Sequence, residues 1–182
     1  MLNLHSMQRL LFALLLATAV LSAQAASNYE PQIGQEGKDV IWVPTPQALI
    51  DKMLDAAKVT TDDYVIDLGS GDGRTVITAA KRGANALGIE YNPDMVELSK
   101  ANADKEGVSA RAQFAKADIF ESDFSKATVI TMYLLPEVNR QLVPRLKAQL
   151  APGTRIVSHD YDRSEEHTSE LQSRGLISYA VF

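Results

Sequence analysis

Apolar residues along this chain follow two periods, one helical and one of strand type, and the alternation between them sets the fold. From Thr45 the spacing is helical, with Leu49, Ile50, Met53, Leu54 and Ala57 on one face. This predicts a helix over 46–57, with Thr45 as its cap and Pro46 in its first turn. Short runs of apolar and β-branched residues then predict strands at 64–68, 86–90, 112–116, 127–133 and 154–159. Between them, helical spacing predicts helices at 73–82, 93–105 and 137–150. Asn92 and Pro93 open the second of these, Gly153 closes the third, and Pro144 is expected to kink or shorten it. Strands alternating with helices make an α/β domain, an open, doubly wound, mostly parallel sheet whose ligand crevice lies outside the carboxyl ends of its strands.

The two ends of the chain follow other rules. Arg9 precedes an apolar run from Leu10 to Leu21, and Ala23-Gln24-Ala25 follows as a small-x-small cleavage signal. Residues 1–25 therefore read as a secretory signal peptide, because the run is far shorter than the roughly 20 residues of a spanning helix. An exported, periplasmic protein is expected, or a membrane-anchored one if the leader stays attached. Residues 26–45 are polar and carry Pro31, Gly34 and Gly37, which predicts an extended arm. Residues 163–173 resemble an in-frame translation of a sequencing-library adapter, and 177–182 resemble its distal part. Residues 163–182 are accordingly set aside from fold reasoning as a non-native tail, and His167 is given no role. The domain proper is then 46–162.

Composition narrows the function classes. With 182 residues, 46% hydrophobic and 23% charged, the chain has the make-up of one ordinary globular domain. Its net charge of −5 is carried by residues 26–162, since the leader adds +1 and the last twenty residues −1. An acidic domain is poorly suited to tracking phosphates, so a nucleic-acid partner is not expected. The chain has no cysteine, which excludes disulfides and thiolate metal sites, and no metal is expected.

Chemistry concentrates after the first strand, in Asp67-Leu68-Gly69-Ser70-Gly71-Asp72-Gly73. Alternate glycines let the backbone turn tightly and approach a ligand, and the following helix offers unpaired N–H groups to an anion. Arg74 stands where a dinucleotide fingerprint needs glycine, and no P-loop lysine follows. Glu90 ends the second strand, where a carboxylate can accept both hydroxyls of a ribose. Asp118 follows the third, placed to accept from an adenine amino group while Ile119 packs on the ring. The three acids end consecutive strands on one edge of the sheet.

Together these motifs resemble the cofactor motifs of class I S-adenosylmethionine-dependent methyltransferases, with their Rossmann-like fold. The likeness is closer to one branch, the small protein-lysine methyltransferases that act on the adenine nucleotide translocase and the c-ring protein of ATP synthase. Trp42-Val43-Pro44-Thr45-Pro46, the glycine-rich segment to Arg74, Tyr133-Leu134-Leu135-Pro136-Glu137-Val138-Asn139 and the stretch Pro152 to Asp160 carry it. The resemblance runs from about residue 40 to 162. It implies S-adenosylmethionine as cofactor, bound by Asp67, Gly69, Ser70, Gly71, Gly73, Glu90, Asp118 and Ile119. Such a domain adds a sixth strand and an antiparallel seventh, so a sequence truncated after its fifth strand is expected here.

The same resemblance puts Tyr133 beside the transferring methyl group as the catalytic candidate, with the backbone of Leu134 and Leu135 next to it. Trp42 and Thr45 would form the substrate-side lid or staple the arm to the domain. A phenol can hold an amine or stabilise its charge, or Tyr133 can simply pack under the next helix. His159 and Asp160 are adjacent on a strand and point to opposite faces, so they form no dyad, and His159 is read as structural. The expected function is methyl transfer to a lysine of a protein, with a membrane protein as one candidate acceptor. A small-molecule methyltransferase and an inactive cofactor-binding fragment are the alternatives.

Overall fold

The structure, a computed structural model, describes residues 29–38, 41–160 and 177–181. The expected leader and most of the expected tail lie outside the described residues. The elements run α1 (Gln47–Ala56), β1 (Tyr64–Leu68), α2 (Arg74–Lys81), β2 (Asn85–Glu90), α3 (Pro93–Lys105), β3 (Ala112–Lys116), β4 (Val129–Leu134), α4 (Pro136–Gln149), β5 (Arg155–Asp160) and β6 (Ile177–Val181). Every strand and helix that the periodicity predicts is present, with ends displaced by two residues or fewer.

The strands lie in the order β3-β2-β1-β4-β5-β6. β1 pairs in parallel with both β2 and β4, so the chain reverses its direction of winding there, and the crevice opens above β1 and β4. The parallel portion ends at β5, where the predicted strands end. Ile177–Val181, from the segment set aside from fold reasoning, extends the sheet by one antiparallel strand on β5. The physical reason is that the free edge of β5 presents unpaired backbone groups, which an apolar, β-branched segment can pair whatever its origin.

Alternation along the strands divides the core in two. Val65, Val129 and Val157 face α1, α2 and α3, packing on Ile50, Leu54, Val76 and Ala103. Ile66, Ile130 and Ile156 face the other way, onto Val138, Leu142 and Leu146 of α4 and onto Phe124. With helices on both faces the sheet is doubly wound, as expected from its unbroken apolar strands.

Three local expectations change. Thr45 does not cap α1: Pro46 occupies the cap position in an extended conformation and no side chain caps the helix. The Thr45 carbonyl instead accepts from Arg74 Nη1 at 3.1 Å. Pro144 does not shorten α4, which runs on to Gln149; the helix face there is exposed, so water can satisfy the carbonyl of Arg140 that the proline ring leaves without a donor. The arm is not extended either. Gly34 N–H donates to the Trp42 carbonyl and Trp42 N–H to the Gln35 carbonyl, both at 2.9 Å, so the described arm doubles back on itself.

Candidate functional site

The carboxyl ends of β1 to β4 converge on a cleft with two lobes. The larger holds about 770 Å³ of atom-free space, open solvent included. Glu90, Asp118 and Ile119 line it, with Leu134 on its floor. The smaller, about 420 Å³, is lined by Asp67, Ser70, Gly71 and Thr45. Gly69, Trp42, Val43 and Tyr133 line both lobes, so the junction is aromatic.

The loop between β1 and α2 is shaped by close approach. Gly71 has φ +54°, and a Cβ there would lie 2.8 Å from Trp42 Nε1, so the indole rests directly on the loop backbone. Gly73 has φ +83°, and a Cβ there would meet Phe114 Cε1 at 2.7 Å and Ser99 Cβ at 2.8 Å. Gly73 thus lies off the cleft, and its need for glycine comes from core packing. Leu135 also lies off the cleft; it precedes α4 and packs on the second core cluster. The other eleven residues singled out in the sequence line one lobe or both.

The three acids sit in different surroundings. Asp67 is 6% exposed and accepts from Thr131 Oγ1 at 2.6 Å. Burial pushes its carboxyl up to about 7, despite hydrogen bonds from Thr131 and Thr75 that pull the other way. Glu90 is held at both oxygens: Oε2 accepts from Gly71 N–H and Oε1 from Asn92 N–H, each at 2.9 Å. Asp118 pairs with Lys38 of the arm and accepts from Phe120 N–H at 2.9 Å, and both contacts hold its pKa below the ordinary value. Ser70 Oγ is buried and has no hydrogen-bond partner among the described residues.

Sequence reasoning missed the residues that carry this geometry from behind. Ser99 Oγ donates to the Gly71 carbonyl at 2.9 Å and Asn102 Nδ2 to the Asp72 carbonyl at 3.0 Å, fastening the loop to α3. Their signal was available, since polar residues three apart share a helix face that is otherwise apolar. Lys38 was also missed. Its ammonium lies 4.9 Å from the Tyr91 ring centroid as well as beside Asp118, and nothing in the local sequence marks it.

Comparison with known proteins adds the following. The ANTKMT methyltransferase domain family matches residues 67–168. A protein-lysine N-methyltransferase of Saccharolobus islandicus is 49% identical over 125 residues, covering 68% of this chain and 78% of that protein. The adenine nucleotide translocase lysine N-methyltransferase of Mus musculus is 36% identical over 95 residues, 52% of this chain and 42% of that protein. Among solved structures, an RNA methyltransferase from Salinibacter ruber in complex with S-adenosyl-L-homocysteine superposes with a TM-score of 0.64 at 48% identity, covering 70% of this chain and 84% of that one.

Proposed function

The chain belongs to the ANTKMT methyltransferase domain family, and from that membership we propose that it is a protein-lysine N-methyltransferase using S-adenosylmethionine. The observation that carries the proposal is the two-lobed cleft whose junction is formed by Tyr133 and Trp42, with acids at the ends of β1, β2 and β3 around it.

The residues present fit this cofactor. Ser70 Oγ is a buried polar atom for which a ligand group can serve as partner, and Gly71 leaves the loop without a side chain to obstruct it. Each Glu90 oxygen accepts one backbone N–H and keeps a second lone pair, so the carboxylate can also accept the two hydroxyls of a ribose. Asp67 suits an ammonium group in the smaller lobe, and Asp118 an amino group on the adenine, with Ile119 against the ring. Lys38 then gives up part of its contact with Asp118.

When bound, S-adenosylmethionine supplies an electrophilic methyl group on a sulfonium. What the chain must add is alignment and an uncharged nucleophile. A lysine amine, protonated up to about pH 10.4 in water, has to shed its proton before attack. Tyr133 stands at the lobe junction, where its phenol can accept a hydrogen bond from the amine and its ring face can stabilise the charge that develops on nitrogen. Trp42 and Thr45 close the same side of the cleft.

A protein acceptor is supported by the names of the archaeal and mouse relatives and by the net charge of −5 on residues 26–162, which opposes an RNA acceptor. Export, read from the leader, belongs to the same proposal, and it makes exported and membrane proteins the first acceptors to screen. The test is incubation of the chain with labelled S-adenosylmethionine and such proteins, followed by mass spectrometry. Label on lysine Nζ is the expected result; label confined to RNA, to a small molecule or to carboxyl groups would reject it.

A further inference from the structure

Tyr133 has a ring neighbour that methyl transfer has so far left unused. β4 and β5 are parallel with Tyr133 in register with His159, so the two side chains leave the same face of the sheet. Their ring centroids lie 4.8 Å apart with planes inclined by 33°. His159 is 4% exposed, whereas Tyr133 is half-buried and borders both lobes of the cleft. The imidazole thus forms an inner wall for a phenol whose outer surface meets the site.

A tyrosine at the mouth of a cleft loses alignment if its ring turns about χ1 or χ2, and methyl transfer is sensitive to misplacement of the groups that hold the acceptor. A flat partner against one face removes that freedom. Burying an imidazole carries a desolvation cost that leucine or phenylalanine would not, so simple space-filling does not account for histidine at the end of an inner strand. We propose that His159 is a positioning residue for methyl transfer, its ring fixing the tilt of Tyr133 at the lobe junction. The inference rests on the assignment of Tyr133 to the acceptor side.

Two substitutions separate ring contact from packing. His159→Leu keeps the volume and removes the flat partner, and His159→Phe keeps the flat partner and removes the nitrogens. The first measurement needs no acceptor: 3-fluorotyrosine is placed at position 133 of the full chain and its fluorine spectrum recorded. One resonance is expected in the parent and in His159→Phe, and a shifted or multiple resonance in His159→Leu. The second measurement uses whichever acceptor the labelling screen identifies. His159→Leu should lower kcat about tenfold with KM for S-adenosylmethionine within about twofold, and His159→Phe should restore kcat. In a Tyr133→Ala background, His159→Leu should have no further effect.

An unchanged fluorine spectrum in His159→Leu overturns the inference, as does a released ring with unaltered kcat. If Tyr133→Ala itself leaves kcat intact, the acceptor-side assignment of Tyr133 fails. If Tyr133→Ala lowers kcat and His159→Leu does not, the positioning role alone fails.

Discussion

Thr131 Oγ1 donates a 2.6 Å hydrogen bond to Asp67 Oδ1 across the two central strands, behind the smaller lobe of the cleft that Asp67 lines. That bond, with one from Thr75, holds the carboxylate in place, yet burial still pushes its pKa up to about 7. A functional acid at this point therefore strains the fold at neutral pH. Below about pH 4 the carboxyl is protonated whether the chain is folded or not, and its contribution to stability is fully present. As pH rises from 4 to 7 the unfolded chain releases the proton and the folded one keeps it, so stability declines by up to roughly 4 kcal/mol. Asp67→Asn should flatten this profile and be the more stable protein at pH 8, while binding S-adenosylhomocysteine at least about tenfold more weakly. Urea denaturation at pH 5 and pH 8 and calorimetry with S-adenosylhomocysteine measure both effects; equal pH dependence in parent and variant would refute the assignment.

Asp63 illustrates the opposite sign. Burial acts to raise its pKa, but Thr128, the Thr60 amide and the Arg155 guanidinium together outweigh it and lower the value. Arg155 also donates to the Ala57 carbonyl at 2.7 Å, so one ion pair ties the end of α1 to β1 and β5. Stability from Asp63 is present above the unfolded carboxyl pKa and is lost as pH falls through its lower folded value. Asp63→Ala should cost about 2–4 kcal/mol at pH 7, since it leaves Arg155 mostly buried without its partner. Affinity for S-adenosylhomocysteine should be unaffected, because the pair lies at the amino ends of the strands, away from the cleft. A binding loss in folded Asp63→Ala would show coupling that the geometry lacks.

Glu90 should tolerate neither removal nor neutralisation. Glu90→Ala deletes the acceptor for two backbone N–H groups and the proposed ribose contacts, and should weaken cofactor binding by about 1.5–3 kcal/mol. Glu90→Gln is the sharper test. Both carboxylate oxygens accept from N–H donors, so whichever way the amide turns, its own NH₂ faces the amide of Gly71 or of Asn92. Glutamine should therefore recover little of the loss. Near-parental affinity in Glu90→Gln would mean that the loop is not held through Glu90.

Much of this site could be read from the sequence because it follows strand ends. Asp67, Glu90, Asp118 and Tyr133 lie at the last residue of a parallel strand or within two residues of its end, and the periodicity that finds the strands also finds them. What escaped were contacts between segments distant in sequence. Helical spacing puts Ser99 on the inner face of α3 but does not name its partner Gly71, 28 residues away, and no local period encodes the reach of Lys38 to Asp118 across 80 residues. Thr45 shows the same limit: its sequence context suits a helix cap, but Arg74 claims its carbonyl from another element. The His159 contact arises from the register of β4 and β5, which spacing alone does not fix.

Gly71 and Gly73 are both in the left-handed region, yet replacing them should have different consequences. At either position alanine bears a backbone penalty of about 1 kcal/mol or more, because a Cβ disfavours positive φ. At Gly71 the added carbon meets the indole of Trp42, an arm side chain that can swing outward. Gly71→Ala should fold, lose only about 1–2 kcal/mol of stability, and bind S-adenosylhomocysteine poorly because the loop and the arm no longer meet correctly. At Gly73 the added carbon meets the ring of Phe114 and the Cβ of Ser99, which is fully buried in α3 and cannot withdraw. Gly73→Ala should therefore cost at least about 3 kcal/mol through overpacking added to the backbone term. The second substitution Trp42→Ala discriminates further. It should relieve the steric conflict of Gly71→Ala, so that the double variant regains stability, and should do nothing for Gly73→Ala. Thermal melts of the four variants decide the matter: equal losses at Gly71 and Gly73, or rescue of Gly73→Ala by Trp42→Ala, would contradict the packing described.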